Sequence, residues 1–448
     1  MAGAEAAADT LEWALVQAYQ NNPSLNAQRA SLRATDENVP QALSGYRPKV
    51  SVTASSSYNY YNETSELVLP TGVAITQFGQ AYLTNSVGLN GSYTLFNGFQ
   101  TANRTRQAES QVEGARETLR VTEQQVLLDA ATAYMTLLRD QAILDLQRRN
   151  VEVLVVQLRQ TRERFQIGEL TRTDVSQAET RLAIARFTYL TAQSNFATSQ
   201  ANYRRVIGVD AGRLVPGTPV DRLSPNTLPK SIAEGQAHSP SVLAAMYGVD
   251  AAALAVKISE GALYPNLTLN VSALQGNNPA FEVLKETSAS VIGQLAVPLY
   301  QGGAEFSAIR QAKETLGQQR LSVDVNRDEA RATVVQSWGQ REAAKSQIDA
   351  ATAAVSAAEV ALNGVREEAR VGQRTTLDVL NAEQELVNAR TDLVTAQHDR
   401  VVASYALLAA EGGLSMQRLG LNVLIYDPMV HYQQVRDAWV GIRTPDGR

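Results

Sequence analysis

The sequence has no cysteine, which excludes disulfide bonds, zinc sites built on thiolates and thiol nucleophiles. This absence suits an oxidising compartment such as the periplasm. The N-terminal run from Met1 to Asp9 is made mostly of small residues and has neither a basic region nor an apolar region. We therefore interpret it as the start of a mature chain whose signal peptide has been left out.

Long apolar runs are also missing, and none approaches the roughly 20 residues that a membrane-spanning helix needs. Any passage through a membrane is therefore predicted to use β-strands, the other structure that satisfies its backbone hydrogen bonds in lipid. The net charge of −5 and the lack of a clustered basic face argue against nucleic acid as a partner.

The motifs of common enzymes are absent as well. The sequence contains no Walker motif, no nucleophile elbow and no dinucleotide fingerprint. His238, His398 and His431 do not share the spacing of metal ligands. We therefore expect no enzymatic activity, no catalytic residue, no bound metal and no cofactor.

Proline is missing from two long stretches, between Pro70 and Pro216 and between Pro298 and Pro428. Because proline breaks helices, each stretch can hold a very long helix. A helix from Gln100 to Glu163, for example, would be roughly 95 Å long. A helix of that length does not fit in the interior of a compact domain.

An internal duplication is the strongest positive feature. The segment 164–179 recurs as 368–383, and Gly168 corresponds to Gly372 at an offset of 204 residues. The repeats predict four regions. Residues 10–207 form a first repeat with a helix, two strands, a long helix and a further helix, and residues 231–411 form a second repeat in the same order. Residues 208–230 are a linker, and residues 412–448 are a C-terminal segment and tail.

Apolar and small polar residues alternate over 50–55 and 87–95 and again over 267–273, and a less regular run follows over 291–299. Period-two alternation is typical of strands with one apolar face, so four strands are predicted in each chain. The first repeat has 13 more residues than the second in this region. We expect this extra length in an exposed loop between about Asn62 and Tyr82, where Pro70, Gly72 and Gly79 occur.

The long helices carry stripes of apolar residues at seven-residue spacing, which is typical of coiled coils. The large and small members of these stripes are Leu137, Leu144, Val151, Leu158, Phe165, Ala178, Ala185 and Ala192. Large residues beside small ones let helix axes approach closely, as in the wall of a tube. A bundle of long helical hairpins explains the spacing equally well.

Two strand pairs per chain cannot close a barrel, and open sheet edges do not occur in lipid. Three chains would pool twelve strands, a reasonable size for an outer-membrane barrel. Aromatic residues near the predicted strand ends suit the two membrane interfaces. These residues are Tyr58, Tyr60, Tyr61, Tyr82, Tyr93, Phe96, Tyr264 and Tyr300.

Together, the strand entries at Pro48 and Pro265, the segment 297–303 and the segment 371–383 resemble the TolC family of outer-membrane efflux and secretion channels. The resemblance runs from about Thr10 to Leu414. It implies a mostly α fold with a membrane β-barrel: a trimeric, 12-stranded barrel with four strands per chain, on a long α-helical coiled-coil barrel that crosses the periplasm. It also implies an equatorial domain made from 208–229 and the segment after Gly412.

The resemblance further implies a location and partners. The chain would lie in the outer membrane of a Gram-negative bacterium, with a large periplasmic portion. It would act as a homotrimer in contact with outer-membrane lipid, a periplasmic adaptor (membrane fusion) protein and an inner-membrane ABC or RND transporter. The duct would carry cargo for a tripartite efflux pump or a type I secretion system, and would perform no chemistry.

The resemblance also implies a periplasmic gate. Asp378 matches an aspartate of the ring that governs cation entry, while Asn381 stands where the family has a second acid. Arg374 matches an arginine that holds the tip closed, with Thr173 and Asp174 as its partners, and Ala369 replaces a latch tyrosine. The turns at Gly168 and Gly372 would be points of adaptor contact.

Two alternatives remain open. Thr171 with Asp174, and Thr375 with Asp378, follow glycine turns and precede apolar runs, so both pairs could be helix capping boxes. We expect Asp174 to act only as a cap and Asp378 to combine the two roles. For the whole chain, the alternative is a soluble periplasmic coiled-coil structural or adaptor protein whose strands form a small globular tip.

Overall fold

The computed structural model describes residues 9–280, 283–445 and 447. Most of the N-terminal run interpreted above as a mature start, residues 1–8, lies outside the described residues. The described chain is mostly helical and has four β-strands, as predicted.

Both halves of the chain follow the same order of elements, which confirms the duplication. The first half contains α1 (Leu11–Asn21), α2 (Pro23–Asp36), α3 (Asn38–Leu43), β1 (Lys49–Leu69), β2 (Gly72–Asn97), α4 (Gln100–Gln166) and α5 (Arg172–Ile207). The second contains α6 (Leu228–His238), α7 (Pro240–Gly261), β3 (Asn266–Ala280), β4 (Val283–Ala296), α8 (Ala304–Arg370) and α9 (Thr376–Ala410). Two short helices follow, α10 (Met416–Leu419) and α11 (Pro428–Val435). Helices α4 and α8 have 67 residues each.

The chain forms two compact units, and each takes segments from both repeats. The helical unit comprises Met1–Leu32, Gly114–Met246 and Ser322–Pro428. The sheet unit comprises Arg33–Glu113, Tyr247–Leu321 and Met429–Arg448.

The sheet unit holds one four-stranded sheet in the order β1-β2-β3-β4, with every neighbouring pair antiparallel. The sequence predicted two separate strand pairs, and the pairing of β2 with β3 joins them. Within the described residues the edges of β1 and β4 pair with no further strand.

The two faces of the sheet differ in polarity, as the alternation predicted. One row across the sheet runs Val50, Gly91, Val271 and Val291, and the next row on the other face runs Ser51, Asn90, Ser272 and Ser290. The apolar face further includes Val52, Leu89, Leu269 and Leu295. The polar face carries hydroxyl pairs, with 2.7 Å between Ser55 Oγ and Ser86 Oγ and 2.8 Å between Ser272 Oγ and Ser290 Oγ.

The expected loop between Asn62 and Tyr82 is wrong in its secondary structure. Strands β1 and β2 stay paired up to Leu69 and Gly72, so the turn is only Pro70 and Thr71. Tyrosine and β-branched residues on both strands favour pairing, and Gly72 takes a φ of 138° that permits the tight turn. The residues are nearly all exposed, so the extra length extends a hairpin rather than a loop.

The expectation that no helix could span a membrane also needs correction. The helical stretch Leu228–Gly261 is long and apolar enough by length and composition alone. It is divided into α6 and α7 at Ser239, and α6 packs on protein. A Cβ at Gly235 would lie 2.6 Å from Val334 Cγ2 and 3.2 Å from the Ala410 carbonyl oxygen. These contacts show that α6 packs within the helical unit.

The core of the helical unit lies where α1, α4, α5 and α9 meet. Leu15, Leu127 and Leu408 are fully buried there. Leu214 and Val220 of the predicted linker, and residues of the segment after Gly412, pack against the same core. Burial of apolar surface from both repeats therefore stabilises this unit.

Candidate functional site

The chain reverses direction in the same way at two helix-hairpin turns, 167–171 and 371–375. Gly168 has a φ of 84° and Gly372 a φ of 80°, a left-handed conformation that favours glycine. The amide of Glu169 donates to the Arg164 carbonyl at 3.0 Å, and that of Gln373 donates to the Glu368 carbonyl at 2.9 Å. Each turn is thus a Schellman motif that ends one long helix.

A capping box then begins the next helix at both turns, as the sequence alternative predicted. The amide and hydroxyl of Thr375 donate to Asp378 Oδ2 at 2.9 and 2.8 Å, and the Asp378 amide donates to Thr375 Oγ1 at 3.2 Å. Thr171 and Asp174 form the same arrangement. Asp378 therefore caps α9, and Asp174 caps α5.

These hydrogen bonds favour the charged form of both carboxylates. The Thr375 amide and then its hydroxyl hold the pKa of Asp378 below its usual value. The Thr171 hydroxyl and then its amide lower the pKa of Asp174. Because these pKa values are lowered on folding, the caps contribute stability above the ordinary aspartate pKa and lose it as the pH falls through the lowered one.

Arg374 lies at the second turn, and within the chain its partner is Glu368. Arg374 Nε donates to Glu368 Oε2 at 2.8 Å, and this contact raises the pKa of Arg374. Asp174 Oδ2 accepts a hydrogen bond from the Thr171 amide, and the Thr173 side chain is exposed. Their expected contact with Arg374 is therefore not made inside one chain, and its occurrence between chains stays a prediction.

Asn381 connects the two repeats. Its side-chain oxygen accepts a hydrogen bond from Arg181 of α5 at 2.6 Å. The neighbouring Leu380 is 2% exposed and packs with Leu154 and Leu182 of the first repeat. Asn381 therefore links α5 to α9.

One ion pair joins the two helices of each hairpin next to its turn, and the two ion pairs are repeat copies of each other. Arg162 Nη2 lies 2.5 Å from Glu179 Oε1, and Arg366 Nη2 lies 3.0 Å from Glu383 Oε1. These ion pairs were not predicted from the sequence, although both residues of each pair recur at the offset of 204. Glu383 is only 6% exposed, so its pair has less access to water than the first.

Ala369 borders a groove of about 640 Å³ in the helical unit. Val153 and Val156 supply exposed apolar surface there, and Arg164 and Arg366 supply positive charge. No aromatic ring lines the groove among the described residues.

The alanine stripe of α5 is buried by contacts within one chain. Ala178, Ala185 and Ala192 are 2%, 3% and 6% exposed, as a hairpin bundle would have them. By contrast, Ile184, Phe187 and Leu190 of α5 are 47%, 72% and 60% exposed. The chain therefore leaves a second apolar stripe on α5 without cover.

Comparisons with known proteins agree with this architecture. Residues 14–209 and 232–413 match the family described as outer membrane efflux protein. The chain is 41% identical to outer membrane efflux protein BepC of Brucella suis, over all of this chain and 95% of that protein. It is 27% identical to outer membrane protein TolC of Vibrio cholerae, over 83% of each. The crystal structure of the Campylobacter jejuni CmeC outer membrane channel superposes with a TM-score of 0.78 at 16% identity, over 95% of this chain and 89% of that one.

Proposed function

Since the chain belongs to the outer membrane efflux protein family, we propose that it is the outer-membrane duct of a tripartite efflux pump or type I secretion system. It is an export channel of the outer membrane with a large periplasmic helical portion. In the proposed complex, three copies form the duct, and a periplasmic adaptor connects it to an inner-membrane ABC or RND transporter. The name of BepC, at 41% identity, favours efflux.

The observation that carries the proposal is the sheet with two unlike faces and two open edges. An apolar outer face and a serine-rich inner face suit strands between lipid and a water-filled lumen. Open edges are not tolerated in lipid, so β1 of one copy must pair with β4 of the next. Since the two edge strands run in opposite directions, this pairing is antiparallel, and three copies close twelve strands.

The positions of the aromatic residues on the sheet support an apolar face that contacts lipid. Tyr93 lies on the apolar face near the start of β1, while Tyr58 and Tyr60 lie on that face further along. From Pro48 to Tyr58 the strand rises about 33 Å, or about 25 Å along the membrane normal for a tilt of about 40°. This height equals that of an outer-membrane apolar band. Beyond Tyr60 the face turns polar, with Asn62, Thr64 and Glu66, so the long hairpin extends outside the cell.

The uncovered stripe of Ile184, Phe187 and Leu190 on α5 supports assembly of the helical units. Large exposed apolar stripes on a helix are stabilised when a neighbouring helix covers them. In the proposed trimer, the stripe of one copy packs against another copy, and the helices of three copies form a tube.

The helix-hairpin turns form the proposed gate at the periplasmic end of the duct. Three Asp378 carboxylates near the threefold axis would create a negative constriction that favours cations. Arg374 holds the tip closed together with Thr173 and Asp174, while Asn381 contributes no charge. The turns at Gly168 and Gly372 contact the adaptor.

The gate is tested by single-channel conductance in planar lipid bilayers. Trivalent cations should block the wild-type duct, because clustered carboxylates in a narrow pore attract multivalent ions strongly. Asp378→Asn should abolish this block. Asp174→Asn is the matched control, since it weakens the same capping box in the other repeat and should leave the block intact. Block that survives in Asp378→Asn would leave Asp378 as a helix cap alone.

Extraction from cells separates the proposal from the soluble adaptor alternative. The duct should leave the membrane fraction only with detergent and migrate as a trimer. A soluble adaptor would be released with the periplasmic contents without detergent.

A further inference from the structure

The C-terminal tail, residues 436–445, follows α11 along the sheet unit. The helix is anchored near its middle, where His431 Nδ1 lies 2.9 Å from the buried Asp36 Oδ2. Tyr432 packs against Val39 and Val112. These contacts fix the place from which the tail departs.

Arg47 then fixes the tail beside the first residues of β1. Its Nη1 donates to the Ala438 carbonyl at 2.6 Å, and its guanidinium lies 4.6 Å from the centre of the Trp439 ring. A hydrogen bond and a cation–π contact from the same side chain hold this ring in one place.

Trp439 lies on the apolar face of the sheet. Together with Tyr46, Val50, Leu89 and Val271 it lines a groove of about 560 Å³. The groove is at the end of the sheet where β1 begins and β2 ends, which is the end connected to α3 and α4. In the proposed duct this is the periplasmic edge of the membrane band.

The apolar residues of the tail have almost no cover. Trp439 is 68% exposed, Val440 94% and Ile442 102%. Tryptophan with arginine beside it is typical of the membrane interface, where the ring lies among the headgroups and the cation binds phosphate. Arg47 and the exposed Arg443 supply such cations on either side of the apolar residues.

We propose that residues 436–445 are an interfacial lipid-binding segment that inserts Trp439, Val440 and Ile442 among phospholipids of the periplasmic leaflet. The inference rests on the proposed membrane position of the sheet. Continuity of Trp439 with the apolar sheet face selects lipid as the occupant, because the same surface that meets the acyl chains continues into the tail. The segment ties the base of the barrel to the leaflet that the adaptor approaches.

Quenching of tryptophan fluorescence by brominated phospholipid tests the proposal. The chain has three tryptophans, so Trp13→Phe with Trp338→Phe leaves Trp439 as the only one. The purified trimer is reconstituted in phosphatidylcholine vesicles with bromine either near the headgroup end or near the middle of the acyl chain. Trp439 should lose emission in both, and lose more with the shallow bromine.

Two reporters in a background that also carries Trp439→Phe make the outcome decisive. Val291→Trp, on the apolar face of β4, should be quenched if the sheet is in the membrane. Leu424→Trp, 91% exposed in the helical unit, should not be quenched. If Val291→Trp is quenched and Trp439 is not, water or a second copy covers the tail, and the inference is overturned while the duct stands. If Val291→Trp is not quenched in the trimer, the proposed function itself fails.

Discussion

Tyr134→Phe should loosen the helical unit at the linker, whereas Tyr203→Phe should not. Both side chains are 0% exposed, and their ring centres lie 6.4 Å apart. The Tyr134 hydroxyl is within 2.6 Å of the Val215 carbonyl oxygen and 2.7 Å of the Asp9 carbonyl oxygen, and accepts from the Val215 amide at 3.0 Å. It therefore holds the linker and the start of the chain against α4.

The two hydroxyls differ in what their removal leaves behind. Tyr134→Phe leaves the Val215 amide and carbonyl without their partner, which costs about 2 kcal/mol. The Tyr203 hydroxyl is buried and has no hydrogen-bond partner among the described residues, and burial raises the pKa of Tyr203 above its ordinary value. Its removal should be neutral or should stabilise the protein by about 1 kcal/mol.

Hydrogen exchange followed by mass spectrometry measures this difference on a peptide that contains Val215. A loss of about 2 kcal/mol corresponds to roughly 30-fold faster exchange where local opening limits it. Tyr203→Phe should leave the exchange of that peptide unchanged. Equal protection in both variants, or a larger loss in Tyr203→Phe, would refute the assignment of the linker contact to Tyr134.

Three further predictions concern stability and the gate. Burial raises the pKa of Glu411, so the charged carboxylate destabilises the folded protein at pH values above its ordinary pKa of 4.5. Glu411→Gln should therefore raise the melting temperature more at neutral pH than near pH 4.5. An equal gain at both would contradict this. Gly98→Ala should destabilise the protein by about 3 kcal/mol, because its φ of 63° disfavours a side chain and the added Cβ would clash with the Gly261 carbonyl oxygen. Gly302→Ala is the control: its φ is 72°, but the added Cβ would meet no atom within 4 Å beyond its chain neighbours, so the cost measured by calorimetry should be only about 1 kcal/mol. Arg374→Ser should raise the open fraction in planar bilayers by removing a restraint at the turn; an unchanged open fraction would argue against that role.

The alternation of apolar and polar residues predicted that the strands exist better than it predicted where they end. Alternation over 50–55 and 87–95 identified both strands and their apolar face, because a strand with one face in lipid must alternate. The extension of β1 and β2 to Leu69 and Gly72 was missed, because both faces of that hairpin are exposed and its residues no longer alternate. Pro70 and Gly72 indicated a turn, and only its length was wrong.

At the candidate site, local motifs were predictable and contacts across helices were not. Thr375 and Asp378 lie three residues apart, so the capping box follows from the sequence itself. The contact between Arg181 and Asn381 joins residues 200 positions apart and depends on how α5 packs against α9. Neither helix carries a local signal for it. The pairing of β2 with β3 was missed for the same reason.

Disulfide crosslinking between copies tests the closed barrel most directly, because the wild-type chain has no cysteine. Ser290→Cys on the β4 edge is combined in turn with Ser51→Cys, Thr53→Cys or Ser55→Cys on the β1 edge. If three sheets close into one barrel, at least one pair should give covalent dimers and trimers on a denaturing gel after oxidation, and each single variant should remain monomeric. A correctly assembled trimer in which no pair crosslinks would contradict the pooled twelve-stranded barrel.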